Sequence, residues 1–371
     1  MNLPDSQVIS QFLFSGTHIG TEPLLAGHIN RTYVLTYRLD GGGQRRYLLQ
    51  RVNTDIFRSP VKLIENIDGV TRHIRRRMTQ EGCKNVESGT LTLIGTKAGA
   101  LYYIDQEGGF WRAYDYIENS IAYQRAERPI LFYNAGVALG RFQKYLSDYP
   151  AETLYDTIPN FHNTPVRFRD FAEAVKADRA GRADSVREEI AFVLSREAIC
   201  GRILSKMEAG LIPVRVTHND TKLNNVLLDD KTDEVLCFVD LDTVMPGSAL
   251  YDFGDSIRFG ASSADEDEQD LRKVYMDIDL FRTYTEGYLS QVARVLTEAE
   301  LEELAFSAIL LTYECGMRFL MDHMNGDTYF QIHRPGHNLD RARTQFKLVA
   351  DMEGKLGEMQ QIVKDCAARL R

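Results

Sequence analysis

The chain has 371 residues, of which 44% are hydrophobic and 26% are charged, and its formal net charge is −9. This composition is typical of a soluble globular protein of two or three domains, and the acidic balance argues against a nucleic-acid-binding protein, which usually carries a basic patch. The five cysteines are scattered without CxxC spacing, which favours reduced thiols and a cytoplasmic location. No signal peptide is predicted, and the longest apolar stretch, residues 304–313, is too short to cross a bilayer.

The first third of the chain predicts a small antiparallel sheet with one long helix. A short helix is expected at 7–14, and a hairpin at 32–38 and 45–52 is built around an Asp-Gly-Gly-Gly turn. Ser59 and Pro60 open a helix that runs to about residue 78. Three further strands complete a five-stranded sheet and are predicted at 90–94, 101–104 and 110–116.

The remainder is predicted to be mainly helical, because apolar residues recur there at helical spacing. The helices are expected at 130–146, 167–180, 184–209, 274–292 and 298–324.

Between these helices lies the most informative stretch of the chain, residues 214–242. It predicts a short strand at 214–217, a polar loop, and strands at 225–228 and 235–241 that form an antiparallel hairpin.

A pairing of Leu228 with Cys237 would place Asn225 opposite Asp240, with Cβ atoms about 5 Å apart. Asp242 would lean to the same face as Asp240, because side chains alternate along a strand.

Four residues of this stretch are candidates for chemistry: Asp220, Asn225, Asp240 and Asp242. Oxygen ligands without Cys or His suit Mg²⁺, which takes one or two carboxylates together with substrate phosphates. Phosphoryl transfer uses an Asp for the acceptor hydroxyl, an Asn five residues later and a further Asp on the metal. Asp220, Asn225 and Asp240 match that order, whereas the alternative is a polar turn between two core strands.

The stretch resembles the aminoglycoside phosphotransferase and choline kinase superfamily, which shares the protein-kinase fold. Within it, the strings VTHNDTKLNN, DLDTVMPGS and DFGDSIRFGAS are most similar to the N-acetylhexosamine 1-kinases, as are GHINRTY, FHNTPVRF, ECGMRFL and HNLDRARTQFKLV. The resemblance implies an α+β, bilobal protein-kinase-like fold, with an antiparallel-sheet N-lobe at 1–117 and a larger, mainly helical C-lobe at 118–371. The Asp252-Phe253-Gly254 string follows Asn225 too distantly to be the metal motif, and we expect Asp252 to hydrogen-bond the catalytic loop.

The resemblance also assigns a nucleotide site. Gly27, His28 and Asn30 match the nucleotide loop. Gln50 stands where a kinase normally carries a phosphate-binding lysine, and Arg51 beside it faces the other side of the strand. Residues of the crossing segment, Asp115, Tyr116 and Ile117, are expected beside the adenine.

The acceptor is indicated by the segment 317–347, in which basic residues and histidines outnumber carboxylates. A site for a cation would be acidic or aromatic, so this segment favours a neutral, hydroxyl-rich acceptor. Arg318 is the first candidate for a sugar contact, with a structural salt bridge as the alternative. Asn224 and His28 are further candidates.

These observations predict an enzyme that uses ATP and Mg²⁺ to phosphorylate the anomeric hydroxyl of an N-acetylhexosamine. Two alternatives remain open: a kinase of another sugar or an amino alcohol, and a catalytically silent nucleotide-binding module, which the missing lysine would favour. The expected partner is a small-molecule sugar, without nucleic acid or membrane. The oligomeric state stays open, and a monomer is compatible with the sequence.

Overall fold

The computed structural model describes residues 3–25 and 29–371. The chain divides into two compact units. The first contains Met1–Ile121, Asp148–Ile158 and Leu227–Met245, and the second contains Ala122–Ser147, Pro159–Val226 and Pro246–Arg371. The fold is thus an antiparallel sheet in the N-terminal region and a mainly helical C-terminal region, as the sequence predicts.

The first unit is built on a five-stranded sheet with the strand order β1-β2-β3-β5-β4. Its strands are β1 (Thr17–Leu24), β2 (Arg31–Arg38), β3 (Gln44–Val52), β4 (Tyr103–Ile104) and β5 (Phe110–Asp115). The pairing is antiparallel, with Leu49 of β3 opposite Tyr33 of β2 on one side and Ala113 of β5 on the other.

The two faces of this sheet differ in polarity. One face is apolar, and its Tyr33, Leu49 and Trp111 pack with Phe12 in a buried cluster. Because side chains alternate along a strand, the neighbouring residues Thr32, Gln50 and Arg112 lie on the opposite face, where the chain places polar groups.

Helices α1 (Ser6–Ile9) and α2 (Pro60–Gln80) belong to the same unit. Helix α2 confirms the prediction, with Pro60 in its first turn. Helix α1 is shorter than predicted. Glu65 of α2 is exposed, whereas the adjacent Asn66 is buried.

The sequence predicts five strands, but one of the five is wrong. The stretch 90–94 forms only an isolated bridge, between Leu93 and Tyr114, and β1 was not predicted. Strand β1 lies at the sheet edge with most of its residues exposed. Its sequence THIGTEPL therefore lacks apolar alternation, the pattern that identifies a half-buried strand.

Two smaller sheets complete the β-structure of the described residues. One has the order β6-β8-β9 and contains β6 (Ser120–Ile121), β8 (Val226–Asp229) and β9 (Val235–Phe238). The other pairs β7 (Arg215–Thr217) with β10 (Met245–Gly247).

The remaining α-helices of the described residues lie in the second unit. They are α3 (Pro129–Tyr145), α4 (Thr164–Ala177), α5 (Arg187–Leu194), α6 (Arg202–Glu208), α7 (Ala249–Gly260), α8 (Ile278–Val292), α9 (Glu298–Met324) and α10 (His337–Leu370). The predicted single helix at 184–209 is wrong, because short 3-10 turns at Ala183–Val186 and Glu197–Ile199, together with Gly201, divide it.

Helix α9 has the bounds that the sequence predicts. It begins with a capping box in which Thr297 and Glu300 satisfy each other's backbone amides. Among the described helices, α9 is long and apolar enough to cross a membrane, yet 83% of that window is buried inside the protein. It is therefore placed as the core helix of the second unit.

Candidate active site

The loop that follows β7 is anchored by one carboxylate. Asp252 of α7 accepts the backbone N–H of His218 at 2.9 Å and that of Asn219 at 2.8 Å. The Asp252 side chain is fully buried, and burial raises its pKa to about 6 although both amides favour its ionised form. The prediction that Asp252 is hydrogen-bonded to this loop is confirmed.

Asp220 is fixed within this loop by two neighbours. The Asn225 amide donates to Asp220 Oδ2 at 2.9 Å and also to the Asp220 carbonyl at 2.9 Å. Lys222 Nζ lies 2.9 Å from Asp220 Oδ1. The structure thus brings Asp220 and Asn225 together, as the five-residue spacing predicts, and leaves the Asn225 carbonyl oxygen as the side-chain atom for a further ligand.

Sequence reasoning missed Lys222. Burial acts to lower the pKa of its ammonium group, but the charge and hydrogen bond of Asp220 raise it overall. Its position two residues after Asp220, in a polar loop, was the available signal. A cation beside this carboxylate holds the second oxygen in place.

The hairpin β8–β9 is confirmed, but its predicted register is not. The Asp229 N–H donates to the Glu234 carbonyl at 2.8 Å, so these residues face each other at the turn. The predicted pairing of Leu228 with Cys237 is therefore displaced by two residues, because a four-residue turn with Asp233 at positive φ closes the hairpin. An even displacement keeps each side chain on its predicted face.

Asp240 and Asp242 follow β9 and differ in exposure. Asp240 has φ 58° and is exposed, whereas Asp242 is only 3% exposed. Asp242 Oδ1 lies 2.6 Å from Arg112 Nη1, and its Oδ2 accepts the Asn30 amide at 2.6 Å. Two of the predicted site residues, Asn30 and Asp242, are therefore in direct contact.

Gln50 belongs to the same group. Its carbonyl oxygen accepts Arg112 Nε at 3.0 Å, and its amide donates to Thr32 Oγ at 3.0 Å. Arg51 lies on the opposite face, with its guanidinium 5.9 Å from the ring centre of Trp111. The expectation that Arg51 does not replace the missing lysine is consistent with that position. The Arg112 guanidinium was missed by sequence reasoning.

The remaining predicted nucleotide residues are placed as follows. The Asp115 carboxylate pairs with Arg45 at 2.6 Å, and the Tyr116 ring lies under the Arg46 guanidinium at 3.9 Å. Ile117 is buried, and its N–H has no hydrogen-bond partner among the described residues. Gly27 and His28 lie outside the described residues.

Arg318 of α9 has an aromatic environment. Its guanidinium lies 5.7 Å from the ring centre of Phe161, 5.8 Å from Tyr329 and 5.4 Å from Phe330. Burial and the charge of Arg318 both lower the pKa of the neighbouring Arg167. No carboxylate of the described residues lies within ion-pair distance of Arg318, so the structural salt bridge considered above is not found there.

The loop FHNT is tied to the same helix. His162 Nδ1 lies 2.9 Å from Glu314 Oε1, and Thr164 Oγ donates to Glu314 Oε2 at 2.6 Å. The fold therefore brings together two motifs that lie about 150 residues apart in the sequence. Asn224 lies elsewhere in the unit, with its amide 3.3 Å from Gln124 Oε1.

The positive balance of 317–347 is largely neutralised by carboxylates from other segments. Arg343 pairs with Glu189 at 2.6 Å, and His337 lies 3.1 Å from Asp267. Arg334 pairs with Asp340 and Asp267. The count of basic residues therefore overstates the charge of this region, and Arg318, which lies among aromatic rings, is the cation that still favours a neutral acceptor.

Within the described part of the chain, no group of three or more His, Cys, Asp or Glu side chains has metal-binding geometry. The predicted ligands Asn225 and Asp240 belong to different compact units, and their side chains carry an amide oxygen and an exposed carboxylate, respectively. These are hard oxygen donors, which fit Mg²⁺ rather than a thiophilic metal.

Comparisons with known proteins assign the chain to a family. Residues 20–288 match the model of the phosphotransferase enzyme family. Similar solved structures include an aminoglycoside phosphotransferase from Alicyclobacillus acidocaldarius, with 13% identity, a TM-score of 0.62 and coverage of 98% of both chains. A microcompartment-associated aminopropanol kinase has 16% identity and a TM-score of 0.60, covering 95% of this chain and 97% of that one.

An amicoumacin kinase in complex with AMP-PNP, Ca²⁺ and Ami has 14% identity and a TM-score of 0.55, covering 98% of this chain and 94% of that one. At these identities the structures establish the fold. Since the family model spans well over half of the residues, the chain belongs to the phosphotransferase enzyme family.

Proposed function

We propose that this phosphotransferase is an ATP- and Mg²⁺-dependent kinase that phosphorylates the anomeric hydroxyl of an N-acetylhexosamine, such as GlcNAc or GalNAc, to give the sugar 1-phosphate. The observation that carries the proposal is the fixed carboxylate of Asp220, oriented by Asn225 and Lys222 on a loop anchored to Asp252. A phosphoryl acceptor needs such a group, because transfer depends mainly on position and on charge neutralisation.

The proposed roles follow from the side chains. Asp220 accepts a hydrogen bond from the acceptor hydroxyl, orients it and takes up its proton late in the transfer. Asn225, through its carbonyl oxygen, and Asp240, through its carboxylate, would hold Mg²⁺, with Asp242 in support. When bound, the ion supplies positive charge to the phosphates.

Nucleotide binding is assigned to Gly27, His28, Asn30, Gln50 and the segment 115–117. The Ile117 N–H supports the last assignment, because an amide without a partner can donate to the adenine edge. An amicoumacin kinase of the same fold forms a complex with AMP-PNP, which supports ATP as the donor.

The acceptor assignment rests on Arg318, with Asn224 and His28 as further contacts. Three aromatic rings and a guanidinium that forms no ion pair among the described residues suit a neutral sugar, since rings pack on the sugar face and the guanidinium donates to its oxygens. Glu314, four residues earlier on the same helix, is already bound by His162 and Thr164. The positive charge of Arg318 among these rings disfavours an amino alcohol, because it would repel the substrate's ammonium group.

The test is ADP formation with ATP and Mg²⁺ on a panel of acceptors. We expect turnover on GlcNAc or GalNAc and little on choline, aminopropanol or glucose. Turnover on aminopropanol alone would replace the acceptor assignment, and nucleotide binding without ADP formation on any acceptor would favour a silent binding module. A cytoplasmic location fits a substrate pool of ATP and free sugar.

A further inference from the structure

Arg112 is a charged residue in the middle of a buried strand. The sequence of β5 is Phe-Trp-Arg-Ala-Tyr-Asp, and Arg112 is 1% exposed, one of the largest fully buried side chains of the described residues. Burying a guanidinium is costly unless it is paired and hydrogen-bonded. A leucine at this position would avoid the cost of removing a charge from water. The reason for a charged residue here must therefore lie in the groups that it contacts.

Those partners link three strands to one acidic segment. Arg112 Nε donates to Gln50 of β3, and Gln50 donates in turn to Thr32 of β2, each at 3.0 Å. On the other side, Arg112 Nη1 lies 2.6 Å from Asp242 Oδ1. The cation is thus held at a fixed place by the sheet and presents its charge to Asp242.

Asp242 has little capacity left for another ligand. Its second oxygen accepts the Asn30 amide at 2.6 Å, and its side chain is 4% exposed. The Asn30 carbonyl oxygen accepts the Asn53 N–H at 3.0 Å, which orients that amide. Asp240, two residues earlier, is exposed. One carboxylate of the Asp-x-Asp pair is therefore bound inside the protein, whereas the other belongs to an exposed residue.

The segment is also tied to α2, but by a neutral group. The Asn66 amide donates to the Val244 carbonyl at 2.9 Å and to the Tyr155 carbonyl at 2.8 Å. Glu65, the acidic neighbour of Asn66 on α2, is exposed. Arg112 is a charged side chain of the sheet that contacts this segment, through Asp242.

We propose that Arg112 is the positioning residue that replaces the missing strand-3 lysine, and that it acts through Asp242. The Arg112–Asp242 pair fixes the backbone of 240–242 so that Asp240 alone of the two carboxylates is presented to Mg²⁺. Asp242 supports the metal by holding this shape and not by direct ligation. This inference rests on the proposed function, because it assigns roles within the same nucleotide and metal site.

The test uses binding of AMP-PNP to the full-length protein, titrated with Mg²⁺, together with the melting temperature. The variants are Arg112→Gln, Asp242→Asn, the double variant and Arg112→Lys. Arg202→Gln is the matched control, because Arg202 also pairs with a buried carboxylate, Glu303 at 2.8 Å, and lies over an aromatic ring.

We expect Arg112→Gln and Asp242→Asn each to raise the Mg²⁺ concentration for half-maximal nucleotide binding at least tenfold. The double variant should be no worse than either single variant, because both remove the same pair. Arg112→Lys should have a Mg²⁺ concentration for half-maximal nucleotide binding close to that of the wild type, since it keeps the charge. Arg202→Gln should lower the melting temperature and leave the Mg²⁺ dependence unchanged.

Three results would overturn the inference. If Arg112→Gln lowers only the melting temperature, as the control does, the pair is purely structural. If Arg112→Gln weakens Mg²⁺-free nucleotide binding while Asp242→Asn does not, Arg112 contacts the phosphates directly. Additive effects of the two substitutions in the double variant would exclude action through Asp242. Should Arg112→Gln fail to fold, the same measurements are made on Arg112→Lys. None of these readouts needs an acceptor, so failure of the sugar assignment is recognised separately by the absence of ADP formation.

Discussion

The substitution Asp252→Asn tests how the catalytic loop is anchored. Burial raises the pKa of Asp252 from an ordinary value of 3.8 to about 6. A raised carboxyl pKa means that this group contributes stability below about pH 4, and that the contribution is lost as the pH rises through about 6. Asparagine keeps the shape but cannot ionise, so it removes this pH dependence.

The magnitude follows from the shift. Each pKa unit corresponds to about 1.4 kcal/mol, so ionisation of Asp252 costs the folded state about 3 kcal/mol at pH 8 and about 1.5 kcal/mol at pH 5. Between pH 5 and pH 8, the free energy of unfolding of the variant should therefore rise by about 1.5 kcal/mol relative to that of the wild type. With an unfolding entropy of about 2 cal/mol/K per residue, this is a change of about 2 °C in the difference between their melting temperatures.

The same substitution should lower kcat, although it raises the relative stability at pH 8. Asparagine offers one acceptor oxygen for the two amides of His218 and Asn219, so one of them faces an NH₂ group. We expect the loop to shift and kcat to fall by about tenfold to a hundredfold, because small displacements of a reacting group are costly.

The assay is thermal unfolding of both proteins at pH 5 and pH 8, with initial rates at pH 8. Ser256→Ala is the matched control, because Ser256 bonds the same loop through Thr221 at 2.8 Å and carries no titratable group. Its melting-temperature difference from the wild type should not depend on pH. A pH-independent difference for Asp252→Asn would refute the reasoning, as would unchanged kcat.

Three further predictions concern the reaction and the packing. Asp220→Asn should leave AMP-PNP binding within about threefold and reduce kcat by about a thousandfold, since it removes the proposed base; calorimetry and rate measurements check this. Removal of Mg²⁺ with EDTA should abolish ADP formation, and added Mg²⁺ should restore it. Gly287→Ala should lower the melting temperature, because its Cβ would lie 2.1 Å from the Tyr133 carbonyl oxygen. The control Gly354→Ala, with nothing within 4 Å, should instead stabilise helix α10 by about 0.5–1 kcal/mol.

The sequence predicts local features of the site better than long-range ones. Asp220 and Asn225 lie five residues apart in one loop, so their contact is set by a short stretch of backbone. The contact between Arg112 and Asp242 joins residues 130 positions apart, and a charged residue within a strand is usually assigned to a solvent-facing side. Only the pairing of β5 inside the sheet makes that position a buried one.

The same limit applies to the acceptor region. The charges in 317–347 can be counted from the sequence, but their partners, such as Glu189 and Asp267, come from distant segments. Ion pairs neutralise Arg334, Arg341 and Arg343, whereas Arg318 forms no ion pair among the described residues. The edge strand β1 was missed for a related reason, since exposure on both faces removes the apolar alternation that a strand prediction uses.

Phosphorus NMR of the reaction with ATP, Mg²⁺ and N-acetylglucosamine or N-acetylgalactosamine tests the central claim most directly. The account predicts ADP together with a sugar phosphate whose signal is coupled to the proton on C1. A phosphate coupled instead to the C6 methylene protons would contradict the anomeric assignment, and inorganic phosphate or unchanged ATP as the only signals would contradict phosphoryl transfer to a sugar.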